Sequence, residues 1–274
     1  MTAGAQPIAK RGHPPRTPRL PRISPRLGWG LVGFLVVIIP WELIVQLGYV
    51  KRVTLSNPTA IVSVAIQDFI VDGTIWPHIA VSTTEYVLGF GLAAVTGVAL
   101  GLLLGMSKRI QYLVEPWLDM IYATPTIALV PLIIIILGLG LEKAIFVVWL
   151  EAIFVIVVTV MTGVHSVEKA HLDLARSFKA SKWLRFTSVI LPTSVPFILT
   201  GLRFGATRAL VGVVVADHLG ANAGIGFYIN SSGTFLRTDR VMLGVVLLGL
   251  FGIVVGESIR RIENRFEAWR PAIK

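Results

Sequence analysis

The ionisable side chains inside the apolar segments are the residues of this sequence best placed to do chemistry. They are Glu42, Glu85, Glu151, Arg203, Arg208 and Asp217. A charged group at the bilayer centre costs about 2.5 to 3.5 kcal/mol on insertion scales, so each is expected to face a partner or a polar cavity. Glu42, Glu85 and Asp217 lie near segment ends, where reaching towards the interface explains them. Glu151 and Arg203 lie deeper, as an ion pair between helices or as contacts to a polar permeant.

Residues arranged for catalysis do not occur in the sequence. The chain has no cysteine, which excludes thiolate nucleophiles and thiolate metal sites. Its five histidines show no metal-ligand spacing, and no GxxxxGK[ST] motif supplies a phosphate-binding loop. The sequence therefore predicts no catalytic site, no metal and no cofactor, and any ATP that drives the protein must be hydrolysed by another polypeptide.

The composition is that of a membrane protein. Hydrophobic residues make up 54% of the chain and charged residues 15%, against about 25% charged in a soluble domain. The net charge of +10 comes from lysines and arginines in loops and tails rather than on one helical face. This distribution indicates membrane topology and argues against a nucleic-acid partner.

Six apolar segments are long enough to cross a bilayer, which requires about 20 residues each. They are Leu27–Leu47, Val81–Met106, Leu118–Gly140, Ala144–Val164, Pro196–Asp217 and Val241–Ile259. The predicted fold is therefore an all-α integral membrane domain over residues 27–259. Four-residue glycine spacing predicts close helix packing in three of the segments. Those glycines are Gly97, Gly101 and Gly105, then Gly201 and Gly205, then Gly252 and Gly256.

The positive charges predict the orientation of these segments. With the N-terminus in the cytoplasm, 18 of the 25 lysines and arginines fall on the cytoplasmic side and 5 on the other. The positive-inside rule then places both termini in the cytoplasm. Residues 1–26, rich in proline and arginine, are expected to be a disordered tail suited to anionic lipid, and residues 260–274 a second basic tail.

Prolines predict breaks at membrane depth, where freed backbone groups must face protein or a water-filled path. Pro125 and Pro131 interrupt the third segment, and Pro192 and Pro196 stand at the entry to the fifth. A transport path and a simple kink against a neighbouring helix both explain them.

The loop between the fourth and fifth segments, about residues 165–190, is polar and basic. Leu172, Ala175 and Phe178 recur at helical spacing, which predicts a short amphipathic helix on the cytoplasmic side. Such a helix either lies in the headgroup layer or docks into a groove on a soluble partner.

This loop resembles the docking loop of permease subunits of bacterial ABC importers. In that family Glu-Ala-Ala, three residues, Gly, nine residues, then an aliphatic residue, any residue, Leu and Pro recur. Here the corresponding positions hold Asp173–Ala175, Lys179 and Val189–Pro192. The segments LSNPTAIV, LPTSVPFILTGLRFG and VVVADHLGANAGIGFYI are also similar to the subfamily that imports nitrate, sulfonates and taurine. That subfamily usually has Glu where this chain has Asp217.

The resemblance implies a permease working by alternating access. Its partners would be a second copy of this chain, two cytoplasmic ATPase subunits and an extracytoplasmic solute-binding protein, in the bacterial inner membrane. ATPase coupling would fall to Asp173, Leu174, Ala175, Lys179, Ala180, Ser181 and Arg185. The candidate path residues are Glu151, Arg203, Arg208 and Asp217.

Lys179 departs from the family pattern. A glycine there can turn the chain at positive φ, which costs lysine about 1 kcal/mol or more. We therefore expect a straight helix that continues through an exposed Lys179.

The substrate follows less directly from the sequence. Arg203 and Arg208 favour an anion, but five residues separate them by about 140° on an ideal helix, so both cannot face one narrow path squarely. The alternative function is a self-contained secondary transporter or channel that uses intramembrane acids such as Glu151 and Asp217.

Overall fold

The computed structural model describes residues 25–266, and all regular elements in that range are helical. The α-helices are α1 (Pro25–Gln46), α2 (Pro58–Ile66), α3 (Ile75–Met106), α4 (Lys108–Ala123), α5 (Thr126–Leu137), α6 (Leu141–His165), α7 (Lys169–Ser177), α8 (Lys182–Arg185), α9 (Leu191–His218), α10 (Ile225–Thr234) and α11 (Thr238–Phe266). Most of the predicted N-terminal tail, and residues 267–274 of the predicted C-terminal tail, lie outside this range.

Five helical stretches are long and apolar enough to span a membrane: α1, α3, α6, α8 with α9, and α11. A sixth span results if α4 and α5 count as one, although they are bent by 102°. The all-α prediction is confirmed, but the third segment is not one straight helix. Thr124 is extended, at φ −84° and ψ 123°, because the Pro125 ring disfavours helical geometry in the residue before it.

Helix α6 lies at the centre of the bundle, with α3 on one side and α9 on the other. Val147, Val148, Ile156, Val157 and Val160 of α6 are all at most 1% exposed. In its apolar window 56% of the α6 residues are buried, against 28% for α3 and 33% for α8 with α9, so α6 is the most covered of these helices.

Glycines on α3 and α9 allow this close contact with α6. A Cβ built on Gly101 would lie 2.7 Å from the Val160 Cβ, and one on Gly205 would lie 2.6 Å from the Ile156 Cγ1. The predicted glycine packing is thus confirmed for these two helices. In α11 it holds only for Gly252, where a Cβ would lie 3.3 Å from Leu210 of α9, because Gly256 has nothing within 4 Å.

The Gly101→Ala variant is expected to lose about 1 to 3 kcal/mol of stability, because the new methyl group also meets the Val157 carbonyl oxygen at 2.9 Å. Gly91→Ala, on the same helix, has nothing within 4 Å and should gain about 0.5 to 1 kcal/mol from helix propensity. Unfolding midpoints in detergent measure both. Equal shifts in the two variants would contradict the packing of α3 on α6.

The helical stretch that contains the fifth predicted span begins at Lys182, before the predicted span start at Pro196. A π-helical turn over Phe186–Ile190 joins α8 to α9 and precedes Pro192. Pro192 cannot donate the usual helical hydrogen bond, and a π-turn is a common local adjustment of this kind. The chain therefore runs as one helical rod from α8 to His218.

Two short helices, α2 and α10, were not among the predicted elements. A π-helical turn over Gln67–Val71 extends α2. Ile61 of α2, Tyr228 of α10 and Leu243 of α11 form a second small core with Ile75 at the start of α3. These helices close one end of the bundle, which we call the α10 end; the opposite end, which carries α7, is the α7 end.

Candidate functional site: a charged helix face and two polar ends

One face of α9 is exposed along the middle of the helix. At 100° per residue, Arg203, Thr207, Val211, Phe204 and Arg208 follow one another across 140° of the helix surface. We call these five residues the α9 stripe. Both arginines belong to it, and they stand at its opposite edges. The other face of α9 carries Gly201, Gly205, Ala209, Gly212 and Ala216 and is buried.

Glu151 of α6 forms an ion pair with Arg208, with 3.9 Å between Oε2 and Nε. The Glu151 side chain is 11% exposed and that of Arg208 is 45% exposed. An ion pair of Glu151 with Arg203 was one predicted alternative, but the observed partner is Arg208. Both residues of the pair lie ten residues from the α10 end of their helices, about 15 Å along the axis.

The depth of Arg208 limits which surroundings the α9 stripe can have: lipid, water or another protein surface. A guanidinium exposed to hydrocarbon near the bilayer centre would cost about 2.5 to 3.5 kcal/mol. The exposed Arg208 must therefore meet water or another protein surface rather than lipid.

A buried charge cluster lies near the α10 end of the bundle. Glu85 of α3, Lys143 of α6 and Asp217 of α9 are 4%, 1% and 1% exposed. The two carboxyl groups and the Lys143 ammonium are close enough to interact electrostatically. Lys143 Nζ also donates to the carbonyl oxygens of Ala216 (2.9 Å) and Leu219 (2.7 Å). The predicted snorkelling of Glu85 and Asp217 is thus wrong.

Asp217 of this cluster caps the N-terminus of α10 together with Ser82 and His78 of α3. Asp217 Oδ2 accepts from Gly226 N at 3.1 Å, Ser82 Oγ accepts from Ile225 N at 2.8 Å, and His78 Nδ1 accepts from Gly224 N at 3.2 Å. These amides have no partner inside their own helix, and a carboxylate is favoured at a helix N-terminus. Asp217 therefore fixes α10 and lies apart from the α9 stripe.

A second ion pair joins the short helices at this end. Asp68, fully buried after α2, accepts from Tyr228 Oη at 2.7 Å and from Arg240 Nη2 at 2.8 Å. Burial, and then the Asp68 carboxylate, raise the pKa of the Tyr228 hydroxyl, which keeps it a donor. The sequence offered one unused signal for this contact, a lone aspartate in the apolar run AIQDFIV.

Glu42 anchors the start of α2 rather than simply reaching the interface. Its carboxylate accepts from Thr59 N at 3.0 Å, from Thr59 Oγ1 at 2.8 Å and from Asn57 Nδ2 at 2.7 Å, and Gln46 also donates to it. The carboxylate thus links α1 to the first turn of α2.

At the α7 end, the polar loop forms α7 and α8 joined by a tight turn; we call residues 169–185 the coupling segment. Ala180 N donates to Ala175 O (3.0 Å) and Lys179 N to Arg176 O (2.8 Å), the two hydrogen bonds of a Schellman motif. Lys179 has φ 55°. Ser181 Oγ then accepts from Leu184 N at 3.1 Å and caps α8. The predicted straight helix is wrong, because Lys179 takes the left-handed position that glycine favours, although its side chain is exposed as expected.

The Lys179→Gly variant is therefore expected to keep the turn and to stabilise the coupling segment by about 1 kcal/mol, since glycine adopts positive φ without the Cβ clash. Lys179→Pro is the contrasting variant, because the proline ring fixes φ near −65° and removes the amide that donates to Arg176. Amide hydrogen exchange over the segment should slow in the glycine variant and accelerate in the proline variant. Faster exchange with glycine would contradict the turn.

The outer surface of the coupling segment is apolar and basic. Leu174, Phe178, Trp183 and Leu184 are 58%, 78%, 72% and 52% exposed. Of the seven predicted coupling residues, Asp173 pairs with Arg176 at 2.8 Å, Ala175 accepts in the Schellman turn and Ser181 caps α8. Arg185 ends α8. A cleft of about 330 Å³ separates α7 from the start of α9.

Where side chains are described, over residues 28–262, no group of three His, Asp or Glu side chains is placed to hold a metal ion. The candidate functional residues are therefore the α9 stripe with Glu151 and the exposed coupling segment. The buried cluster and the Asp68 pair act as structural supports of α10.

Comparison with known proteins gives consistent results. A family described as "Binding-protein-dependent transport system inner membrane component" matches residues 97–268. The taurine transport system permease protein of Escherichia coli is 27% identical over 248 residues, which cover 89% of this chain and 90% of that protein. A Bacillus subtilis protein named for aliphatic sulfonates transport is 31% identical over 247 residues and 89% of each chain. The nitrate import permease protein of Synechocystis is 30% identical over 187 residues, 68% of each.

A similar fold occurs among solved structures. The inward-facing MetNI methionine ABC transporter matches with a TM-score of 0.59 and 18% identity, covering 74% of this chain and 97% of that one. An amino acid ABC transporter matches with a TM-score of 0.58 and 16% identity, covering 70% and 92%. At these identities the likeness concerns the fold.

Proposed function

The chain belongs to the inner membrane components of binding-protein-dependent transport systems, and from this premise we propose that it carries a small anion between two copies of itself. It is a multi-pass permease subunit of an ABC importer, working with a separate ATPase and a solute-binding protein. The anion, the two copies and the contact residues are the proposal.

The charged α9 stripe is the observation that carries the proposal. Arg203 and Arg208 are exposed at a depth where lipid is excluded on energetic grounds, and one copy offers only one wall. A second copy, facing the α9 stripe across a water-filled path, would supply the opposite wall. Relatives named for the transport of taurine, sulfonates and nitrate agree with two arginines on such a wall.

We assign ATPase docking to the coupling segment, with one ATPase subunit for each of the two copies. The α7 end and both termini of the chain then lie in the cytoplasm. The segment is joined to α6 by a short turn and continues into α9 as one helical rod. A rigid element of this kind can transmit movement of the ATPase to the α9 stripe, which supports alternating access. The ATPase must contact the segment differently in its two states for this coupling to operate.

The experiment that tests the docking assignment compares the intact chain with a variant in which residues 173–181 are scrambled. Both are purified with a tag from cells that contain the whole transporter. We expect the ATPase, identified by mass spectrometry, to copurify with the intact chain and to be lost from the variant, while the variant still purifies as a folded membrane protein. Equal copurification would show that docking lies elsewhere.

A further inference from the structure

We propose that Glu151 is an exchangeable counter-ion of Arg208, so that a permeant anion binds the Arg208 guanidinium by taking the place of the Glu151 carboxylate. The inference rests on the proposed function, because it takes the α9 stripe as a wall of the substrate path. It adds a specificity-determining pair of residues on that wall.

The geometry of the pair is loose. Its 3.9 Å separation is longer than the roughly 2.7 to 2.9 Å of a charge-assisted hydrogen bond. The Asp68–Arg240 pair of the same molecule shows the contrast, with a fully buried carboxylate and a distance of 2.8 Å. A fixed structural pair and a loose, accessible pair therefore occur in one chain.

Arg208 has free binding capacity in this arrangement. Among the side chains that the structure describes, those of residues 28–262, that of Arg208 makes no hydrogen bond and no ion pair besides the one with Glu151. The guanidinium carries five N–H donors, and its two-pronged edge matches the paired oxygens of a sulfonate, carboxylate or nitrate. An incoming oxyanion can thus engage the donors that Glu151 leaves unoccupied first and then take the place of the carboxylate.

Glu151 is held where it can return. A Cβ built on Gly212 would lie only 3.3 Å from the Glu151 Cβ, so the glycine lets α9 approach closely enough to seat the stem of this side chain. With the path empty, the carboxylate compensates Arg208 and reduces the cost of a bare cation at membrane depth. With an anion present, it competes, so binding stays weak enough for release.

The absence of cysteine from the chain allows a clean test that needs no known substrate. Thr207→Cys places one thiol per copy in the α9 stripe of the assembled transporter. Its modification rates by a negatively and a positively charged methanethiosulfonate reagent report the local electrostatic potential. The added Glu151→Gln change should raise the ratio of anionic to cationic rates about fivefold, because Arg208 then acts uncompensated.

A second measurement, protection of the thiol by added anions, tests whether an anion displaces Glu151 from Arg208. Nitrate and ethanesulfonate should slow modification by the anionic reagent, at about fivefold lower concentration in the Glu151→Gln background. Glu168→Gln is the matched control, since this carboxylate lies 17 residues further along, beyond the end of α6, and is screened by salt. It should change neither quantity.

The outcomes are separable. An unchanged rate ratio and unchanged protection in Glu151→Gln, with the thiol reactive, would overturn the counter-ion role while leaving the path in place. A thiol that neither reagent reaches in any background would overturn both the path and the inference. A shift as large in Glu168→Gln as in Glu151→Gln would also overturn it, since the effect would then be one of net charge.

Discussion

The Phe178→Asp variant is expected to lose its ATPase and, with it, ATP-driven uptake, while the membrane domain stays folded. Phe178 is 78% exposed at the end of α7, so replacing it removes little packing within this chain. An exposed aromatic at the centre of a docking surface typically contributes 2 kcal/mol or more, and the new carboxylate would also have to be desolvated. The affinity for the ATPase should therefore fall by at least about 30-fold. Copurification and uptake rate in proteoliposomes measure the two losses.

The structure offers a closely matched control for this variant. Phe235 ends α10 with the same Schellman geometry, including a left-handed Leu236 at φ 56°, and is 72% exposed at the opposite end of the bundle. Phe235→Asp should leave ATPase copurification unchanged. If both variants lose the ATPase equally, the loss reflects general damage, and the assignment of Phe178 to docking is wrong.

The Lys143→Met variant should destabilise the protein by about 3 to 5 kcal/mol, the usual cost of breaking a buried charge pair. Lys143 is 1% exposed, and its ammonium balances the carboxyl groups of Glu85 and Asp217. Its removal also leaves the carbonyl oxygens of Ala216 and Leu219 without their donor. Thermal unfolding in detergent should show a lower midpoint, and α10 should exchange its amide hydrogens faster because Asp217 caps it.

A second substitution separates charge from packing in this cluster. Adding Glu85→Gln to Lys143→Met removes a carboxyl group that could otherwise ionise next to Asp217 and should recover part of the loss. Lys51→Met, at an exposed site, should change stability by less than about 0.5 kcal/mol. If the stability loss of the double variant equals the sum of the losses of Lys143→Met and Glu85→Gln, the two residues are not coupled.

Features set by local sequence patterns could be predicted from the sequence, whereas features set by contacts between distant segments could not. Span positions and the glycine contacts of α3 and α9 could be predicted, because each depends on a local pattern that a membrane imposes strongly. The burial of Glu85 and Asp217 could not, because both lie near the ends of apolar runs. Asp217 is covered by the start of α10, a ten-residue helix containing glycine and serine that lacks the length of a span.

Lys179 illustrates a competition between local preferences and the surrounding contacts. Helix propensity favours lysine in a continuing helix, yet two Schellman hydrogen bonds and the Ser181 cap together outweigh the cost of positive φ. In the same way, the partner of Glu151 could not be chosen between two arginines without the rotation of α9 against α6.

Uptake into proteoliposomes containing the complete transporter tests most directly that a separate ATPase drives transport through this chain. Nitrate, taurine and aliphatic sulfonates are offered together with the solute-binding protein, with ATP on the ATPase side and no ion gradient. We predict uptake of at least one of these solutes that requires hydrolysable ATP and stops when residues 173–181 are scrambled. Uptake driven by a proton or sodium gradient through this chain alone, without ATP or the ATPase, would contradict the account.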